Sequence, residues 1–491
     1  MNKNKLLQYF LLATFLSPIR LGAQVFWAAG YTENLDVVTN GQILIQPFED
    51  EVLAQNFNSS VQFEATMAGA YRPNGQLLFY TNGCHVYGAD HQILSGGEGL
   101  NPGEVFDMAC DAYGYLAPKG ASVATFRIRP DLYFLIHTGM ENSTTHSISY
   151  GPLYLTRIVY DTLSGEVTVL SKNEVLINTE VDPFELVRHA NGNDWWLLTN
   201  DFGTSNFHKI LLTPDGPAIH EVQSVGYNFP FPPCRWQRSL SASPSGERLV
   251  RFSSKCGAQF LTFDRCSGIL SEAGFSHLEN GVFGGSGSAF SSDSESVYFS
   301  RWYQVSKARF DTPPDTLRAS FTPPTGYGGS FVHMFRDPYG RIFIAPQASE
   351  PYLHVIEPSD NVPNVAQVQF EGFAMPSRIQ RTIPHYPNYN LGSIANSPCD
   401  TLLISSAEDV PKEPARLRLY PNPAKDIAVI EMDFSGHKHL TLYDALGRPV
   451  RSLESTDLQA EMSLEGLPAG VYYLQAVQDG RHFGKVRVLK L

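Results

Sequence analysis

The residues with most chemical potential in this chain are a histidine and a pair of adjacent tryptophans. They lie in Arg188-His189-Ala190-Asn191-Gly192-Asn193-Asp194-Trp195-Trp196. Neighbouring side chains on a strand point to opposite faces, so one indole is expected to pack inside and the other to be more exposed. An exposed indole can lie against a sugar face, which makes His189, Trp195 and Trp196 the candidate ligand rim. Tyr227-Asn228-Phe229-Pro230-Phe231 and Trp302-Tyr303 are further aromatic stretches, read as ordinary packing. Catalytic patterns are sparse. The sequence has no H-E-x-x-H, P-loop, dinucleotide fingerprint or EF-hand loop. Gly284-Gly285-Ser286-Gly287-Ser288 misses the nucleophile elbow, because its last position is serine. Asp311 and Asp315 offer two carboxylates to a calcium ion, but Asp311-Thr312-Pro313-Pro314-Asp315 reads as a solvated turn. The 14 histidines are scattered without ligand spacing, so neither metal nor cofactor is expected.

Six cysteines remain for disulfides: Cys84, Cys110, Cys234, Cys256, Cys266 and Cys399. None forms a C-x-x-C pair, which disfavours zinc or redox chemistry. The expected pairs are Cys84 with Cys110 around one loop and Cys256 with Cys266 across an apparent hairpin. Spacing leaves the other two open.

The elements that position these residues form a weak repeat between Val25 and about Ser405. Each unit is an apolar strand, a polar turn, and a second strand rich in Leu, Tyr and Phe. The turns end at Gly75, Asp131, Asn193, Gly246, Ser294 and Gly340, between 46 and 62 residues apart. The strands after them are Gln76–Thr81, Leu132–His137, Asp194–Thr199, Glu247–Ser253, Glu295–Ser300 and Arg341–Pro346. Two hairpins per period make a propeller blade. Six units are visible. A seventh is expected from Val25–Gly30 together with Ala366–Phe373, closing the ring with strands from both ends. The expected fold is therefore all-β: a β-propeller of seven blades followed by a small immunoglobulin-like β-sandwich. Inward Asp and Glu from three or more blades would favour an enzyme. A channel lined by Gly, Ser and backbone would favour binding.

The sandwich is read from Leu417–Leu491, where apolar alternation recurs in short runs punctuated by Gly447, Gly470 and Gly480. Four blocks follow in order: Leu419-Tyr420-Pro421-Asn422-Pro423, Leu442-Tyr443-Asp444-Ala445-Leu446-Gly447-Arg448, Leu467–Leu474 and Gly484–Leu491. The last two carry Gly470, Tyr472 and Lys485. Together they resemble the type A C-terminal sorting domain of the Bacteroidetes type IX secretion system. That resemblance implies passage across the outer membrane and, as partners, the secretion machinery with its sortase-like peptidase. The central region likewise resembles a propeller-like region of such exported proteins, through Asn74–Cys84, Arg188–Trp196, Phe263–Cys266 and Pro387–Gly392. It departs at Asn390, where related chains tend to carry arginine. No activity comes with this second resemblance.

Lys3 and Lys5 precede an apolar stretch, Leu6–Leu16, then Pro18 and Leu21-Gly22-Ala23-Gln24. This pattern is a secretory signal peptide with cleavage between Ala23 and Gln24. It is shorter than a membrane span, and no later segment is longer, so no transmembrane helix is expected. The expected domains are 1–23 signal, 24–405 propeller, 406–416 linker and 417–491 sorting domain. Net charge is −13 and no basic run exceeds two residues, which excludes a nucleic-acid role. The leading expectation is an exported or cell-surface binding and adhesion protein, without enzymatic activity, whose ligand is a surface glycan or protein. The alternatives are an exported hydrolase or lyase acting on polysaccharide or peptide, and a component of a motility or adhesion assembly.

Overall fold

The computed structural model describes residues 27–30, 41–47, 51–56, 59–72, 76–143, 147–230, 233–234, 238–278, 285–313, 316–317, 319–321, 330–347, 349–358, 368–395, 397–400, 417–432, 436–443, 449–478 and 481–491. The signal segment with Ala23 and Gln24, the linker 406–416, Asp444 and Gly447 lie outside them. The chain divides into two compact units, Met1–Thr401 and Leu402–Leu491.

In the first unit, seven sheets follow one another among the described residues, antiparallel apart from one short edge strand of blade 5. Blade 1 is Trp27–Ala29, Ile43–Pro47 and Val52–Asn56, and blade 2 is Ala68–Tyr71, Leu77–Thr81 and Val86–Gly88. Blade 3 is Ala121–Thr125, Leu132–Ser143, Ser147–Tyr160 and Val167–Ile177; blade 4 is Glu185–Arg188, Trp195–Asn200, Asn206–Thr213 and Gly216–Ser224. Blade 5 is Arg238–Ala242, Arg248–Ser253, Gly257–Phe263 and Leu270–Leu278, with the short strand Thr316–Leu317 added parallel to its outer edge. Blade 6 is Gly287–Phe290, Ser296–Arg301, Gln304–Arg309 and Ala319–Phe321, and blade 7 is Phe331–Arg336, Ile342–Pro346, Glu350–Ile356 and Val368–Ile379.

Strands run in chain order across each sheet, so the first is innermost. In blade 4 the first strand is wholly buried, while the last is exposed along nearly its whole length. Blades pack face to face through apolar clusters. One joins blades 2 and 3 through Phe79, Val123 and Tyr133; another joins blades 4 and 5 through Val187, Trp196 and Phe263. The six repeated turns are the connections between first and second strands of blades 2 to 7, which is why their period is the blade period. The seventh blade differs from expectation. Trp27–Ala29 pairs in register with Ile43–Pro47, whereas Val368–Ile379 is taken up by Glu350–Ile356 as the outer strand of blade 7. The ring therefore closes by packing whole sheets: Trp27 meets Phe335 and Phe343 of blade 7 edge-on, at 5.5 and 5.3 Å between centroids.

Cys84 bonds Cys110, as expected, but Cys256 bonds Cys234 and Cys266 bonds Cys399. The expected Cys256–Cys266 bridge fails for a geometric reason. These two residues flank the single strand Gly257–Phe263, and its seven residues at roughly 3.3 Å each hold its ends far beyond disulfide reach.

The second unit has seven strands among its described residues. One sheet holds Leu417–Tyr420, Ile427–Met432 and Gln459–Ser463. The other holds Pro449–Ser455, Lys438–Tyr443, Gly470–Gln478 and Arg481–Lys490. Their inward residues, including Ile430, Leu440, Leu442, Leu474 and Val488, form one apolar core. Asn422 explains the Pro-Asn-Pro block: its side-chain oxygen accepts the Leu489 N–H at 2.8 Å, and Ala424 N–H donates to the Leu489 carbonyl. The block is thus pinned along the last strand. Tyr472 donates to the Pro468 carbonyl at 2.8 Å, holding the turn before Gly470. Tyr420 stays largely exposed and donates to Glu431.

Candidate functional site: a plugged channel and its mouth

Inner strands of a propeller converge on a central channel, and here the chain fills its own. After Ile379 the backbone turns inward. Thr382 donates to the Phe63 carbonyl at 2.7 Å. His385 then sits near the start of the inner strands: its carbonyl accepts from Ser122 at 2.7 Å, Nδ1 faces the Lys119 carbonyl at 2.9 Å, and Nε2 faces Glu185 at 3.3 Å. Farther along, Tyr389 donates to the Val123 carbonyl and Asn388 to the Pro244 carbonyl, each at 2.7 Å. By Ile394 the segment bonds the Ala190 carbonyl at the far ends of those strands. Residues 382–394 therefore pass along the channel from one face to the other. Arg265 accompanies them, donating to the Gly392 carbonyl at 2.6 Å, and Cys399 fastens the end to Cys266.

Two glycines make room for this plug. Gly192 has φ +73°, and a Cβ there would lie 2.6 Å from the Ser393 nitrogen. Gly246 has φ +73°, and its Cβ would lie 2.9 Å from Leu391. Both occupy turns already marked in the repeat, so the turn glycine serves the plug as well.

The wall around the plug is mostly small and polar. Ser239 and Ser288 share a 2.9 Å bond between the inner strands of blades 5 and 6, and Ser241 reaches the Ser288 carbonyl at 2.9 Å. A cavity of about 70 Å³ remains beside the plug, with Lys119, Glu185, His385 and Arg336 among its lining residues. Glu185 is its single carboxylate. Burial pulls the Lys119 ammonium below its ordinary pKa, opposed by the nearby Glu185 charge.

A larger cavity, of about 300 Å³, opens where the plug emerges. Phe335, Arg336 and Tyr339 of blade 7 and its first turn face Tyr386, Asn388 and Asn390 of the plug across it. Asp337 organises this turn. One oxygen accepts the Tyr339 and Arg341 amides, both at 2.9 Å, and the other accepts Arg341 Nε at 2.8 Å. Burial raises its pKa, with Arg341 opposing.

The expected rim is not at the surface. Trp195 is fully buried and donates to the Thr125 carbonyl of blade 3 at 2.8 Å. Trp196 is 2% exposed and donates to the Arg265 carbonyl at 2.9 Å. Opposite faces of the strand do carry them apart, but each face of a central blade is covered by a neighbouring blade. His189 is also buried; it accepts the Asn191 N–H through Nδ1 and faces the Cys266 carbonyl through Nε2, both at 3.1 Å. All three residues staple blades together. Arg336 and Tyr339 carried no signal beyond a turn. The plug's signal was a run rich in proline and tyrosine, Pro384–Tyr389, beyond the last blade strand.

The molecule is thus a plugged seven-bladed propeller carrying a separate β-sandwich. Residues 418–488 match the family described as Secretion system C-terminal sorting domain. The chain is an exported protein of the type IX secretion system, directed by this domain to the cell surface or beyond. No curated protein matches the chain. Among solved structures it is similar to a Lactobacillus plantarum protein, at 14% identity and TM-score 0.45 over 73% of this chain and 98% of that one. It is also similar to the Pseudomonas aeruginosa periplasmic gluconolactonase PpgL, at 12% and 0.36 over 95% and 99%. A third is PorZ, a surface component of the type IX secretion system of Porphyromonas gingivalis, at 14% and 0.31 over 92% and 63%. Likeness of this order carries neither activity nor partner across. No described helix is long and apolar enough to cross a membrane.

Proposed function

We propose that this chain is an exported binding propeller without catalytic activity, holding a surface glycan or protein at the plugged mouth of its channel. The observation that carries the reading is the plug. Channel space that could gather carboxylates from several blades is occupied by residues 382–394, whose polar groups bond the inner strands. What stays open is a cavity walled by aromatic rings, amides and one guanidinium, the mix that orients small ligands. Delivery follows two steps: a signal peptide cut between Ala23 and Gln24, then passage through the type IX machinery, whose sortase-like peptidase removes the tail.

A glycan and protein binding screen on the exported chain tests this reading. A ligand whose affinity falls when Tyr339 is replaced by alanine supports it. Turnover of a polysaccharide or peptide without such binding would favour the hydrolase or lyase reading instead.

A further inference from the structure

Arg336 is the unusual group at the mouth. It lines both the larger cavity and the small one deeper in the channel. Among the described residues its guanidinium makes one hydrogen bond, a 3.4 Å contact to the Asp337 backbone carbonyl. The Asp337 carboxylate does not complete it, since both oxygens are engaged by Arg341 and the turn amides. A guanidinium has five N–H donors in a planar fork that matches a carboxylate. Burial already pulls the Arg336 pKa down, opposed by Asp337, so an incoming anion would regain lost solvation. The other acidic and basic side chains lining the deeper cavity are Lys119, Glu185 and His385. Glu185 faces His385, and Lys119 contacts Ser241. Asp337 also lines the mouth, but it is paired with Arg341, so the two guanidinium groups around one carboxylate leave one net positive charge there, in a chain of net charge −13.

The remaining walls describe what the anion is attached to. Phe335, Tyr339, Tyr386 and Tyr389 supply ring surface, and Asn388 and Asn390 supply amides. A volume of about 300 Å³ is at the small end for ligand sites. We propose that this cavity binds a uronic-acid residue, with Arg336 gripping the carboxylate and the aromatic rings covering the sugar. The assignment rests on the binding reading above and names its ligand class.

The test is calorimetric titration of the full exported chain with sodium glucuronate, its methyl ester, glucose, and a trisaccharide ending in glucuronate. The free acid should bind at least about tenfold more tightly than ester or glucose, the scale of a charge-assisted hydrogen bond. Arg336→Gln should abolish that preference without changing the melting temperature, and Arg336→Lys should restore part of it. Trisaccharide binding equal to or tighter than the free acid assigns a polysaccharide end; tighter free acid assigns a small-molecule ligand. Equal affinity for acid and ester on the unaltered protein overturns the proposal, whatever the variants do. If a neutral glycan or a protein binds regardless of Arg336, the uronate assignment fails while the binding reading stands. If nothing in the screen binds, both fail.

Discussion

The propeller and the sorting unit are both built from antiparallel sheets, yet they hold together differently. The sorting unit buries one apolar core between two sheets, and its buried polar side chains among the described residues are few: Lys438, Thr441 and Lys490. The propeller buries histidines, arginines, asparagines and serines throughout its blade interfaces. Geometry accounts for the contrast. A sandwich presents only inner faces to its core, whereas a ring also brings strand ends, turns and inner edges together, and their backbone groups need partners. A ring therefore makes many polar staples, whereas the Arg336 guanidinium at the mouth keeps a single 3.4 Å bond to a backbone carbonyl.

The most severe way to break this contrast is at Asp182. It receives Arg238 and Arg251 between blades 4 and 5, with all three side chains at 0–2% exposure. Asp182→Ala leaves two buried guanidinium groups without their carboxylate and should cost about 3–5 kcal/mol, read by urea unfolding of the propeller. The sorting-unit transition should not move. Cys399→Ser comes next. It opens a link spanning 133 residues and should cost the propeller about 2–4 kcal/mol, with raised hydrogen exchange in the plug.

Acid sharpens the contrast further. His137 is fully buried against Asn101 and Thr156, and burial lowers its pKa to about 3 from an ordinary 6.5. Burial lowers the His354 value to about 4. A histidine held neutral in the folded state contributes stability above its unfolded pKa, which is lost as pH falls, because the unfolded chain binds the proton more readily. Propeller stability should thus decline from about pH 6.5 towards pH 3. The sorting unit's described histidine side chains, His437 and His439, lie on its surface, so its transition should change less over that range. Circular dichroism across pH on the separate transitions checks this. The smallest effects are single bonds. Trp196→Phe removes the donor to the Arg265 carbonyl and should cost about 1–2 kcal/mol; Asn422→Ala frees the Leu489 amide in the sorting unit and should cost about 1 kcal/mol. Both are read as shifts in melting temperature.

Much of the fold was legible because its signals are local. Turns such as Ser243–Gly246 and the alternating strands after them mark blades 2 to 7, and Asn422 with its flanking prolines marks the sorting unit. Blade 1 was only half legible, since nothing near Trp27 tells whether its partner is Ile43–Pro47 or a strand from the other end of the ring. Disulfide partners and site residues depend on longer contacts. Cys266 finds Cys399 only because the plug crosses the channel, and Trp195 and Trp196 are covered only because a blade lies on each side. Arg336 becomes notable only when Asp337 is seen turned towards Arg341.

The most direct measurement is a crystal structure of the exported chain with the tightest ligand from the binding screen. Ligand density is expected in the cavity between Arg336, Tyr339 and Asn388, with residues 384–391 still in the channel. Ligand density inside the channel with that segment displaced, or on a surface away from the mouth, would contradict this expectation.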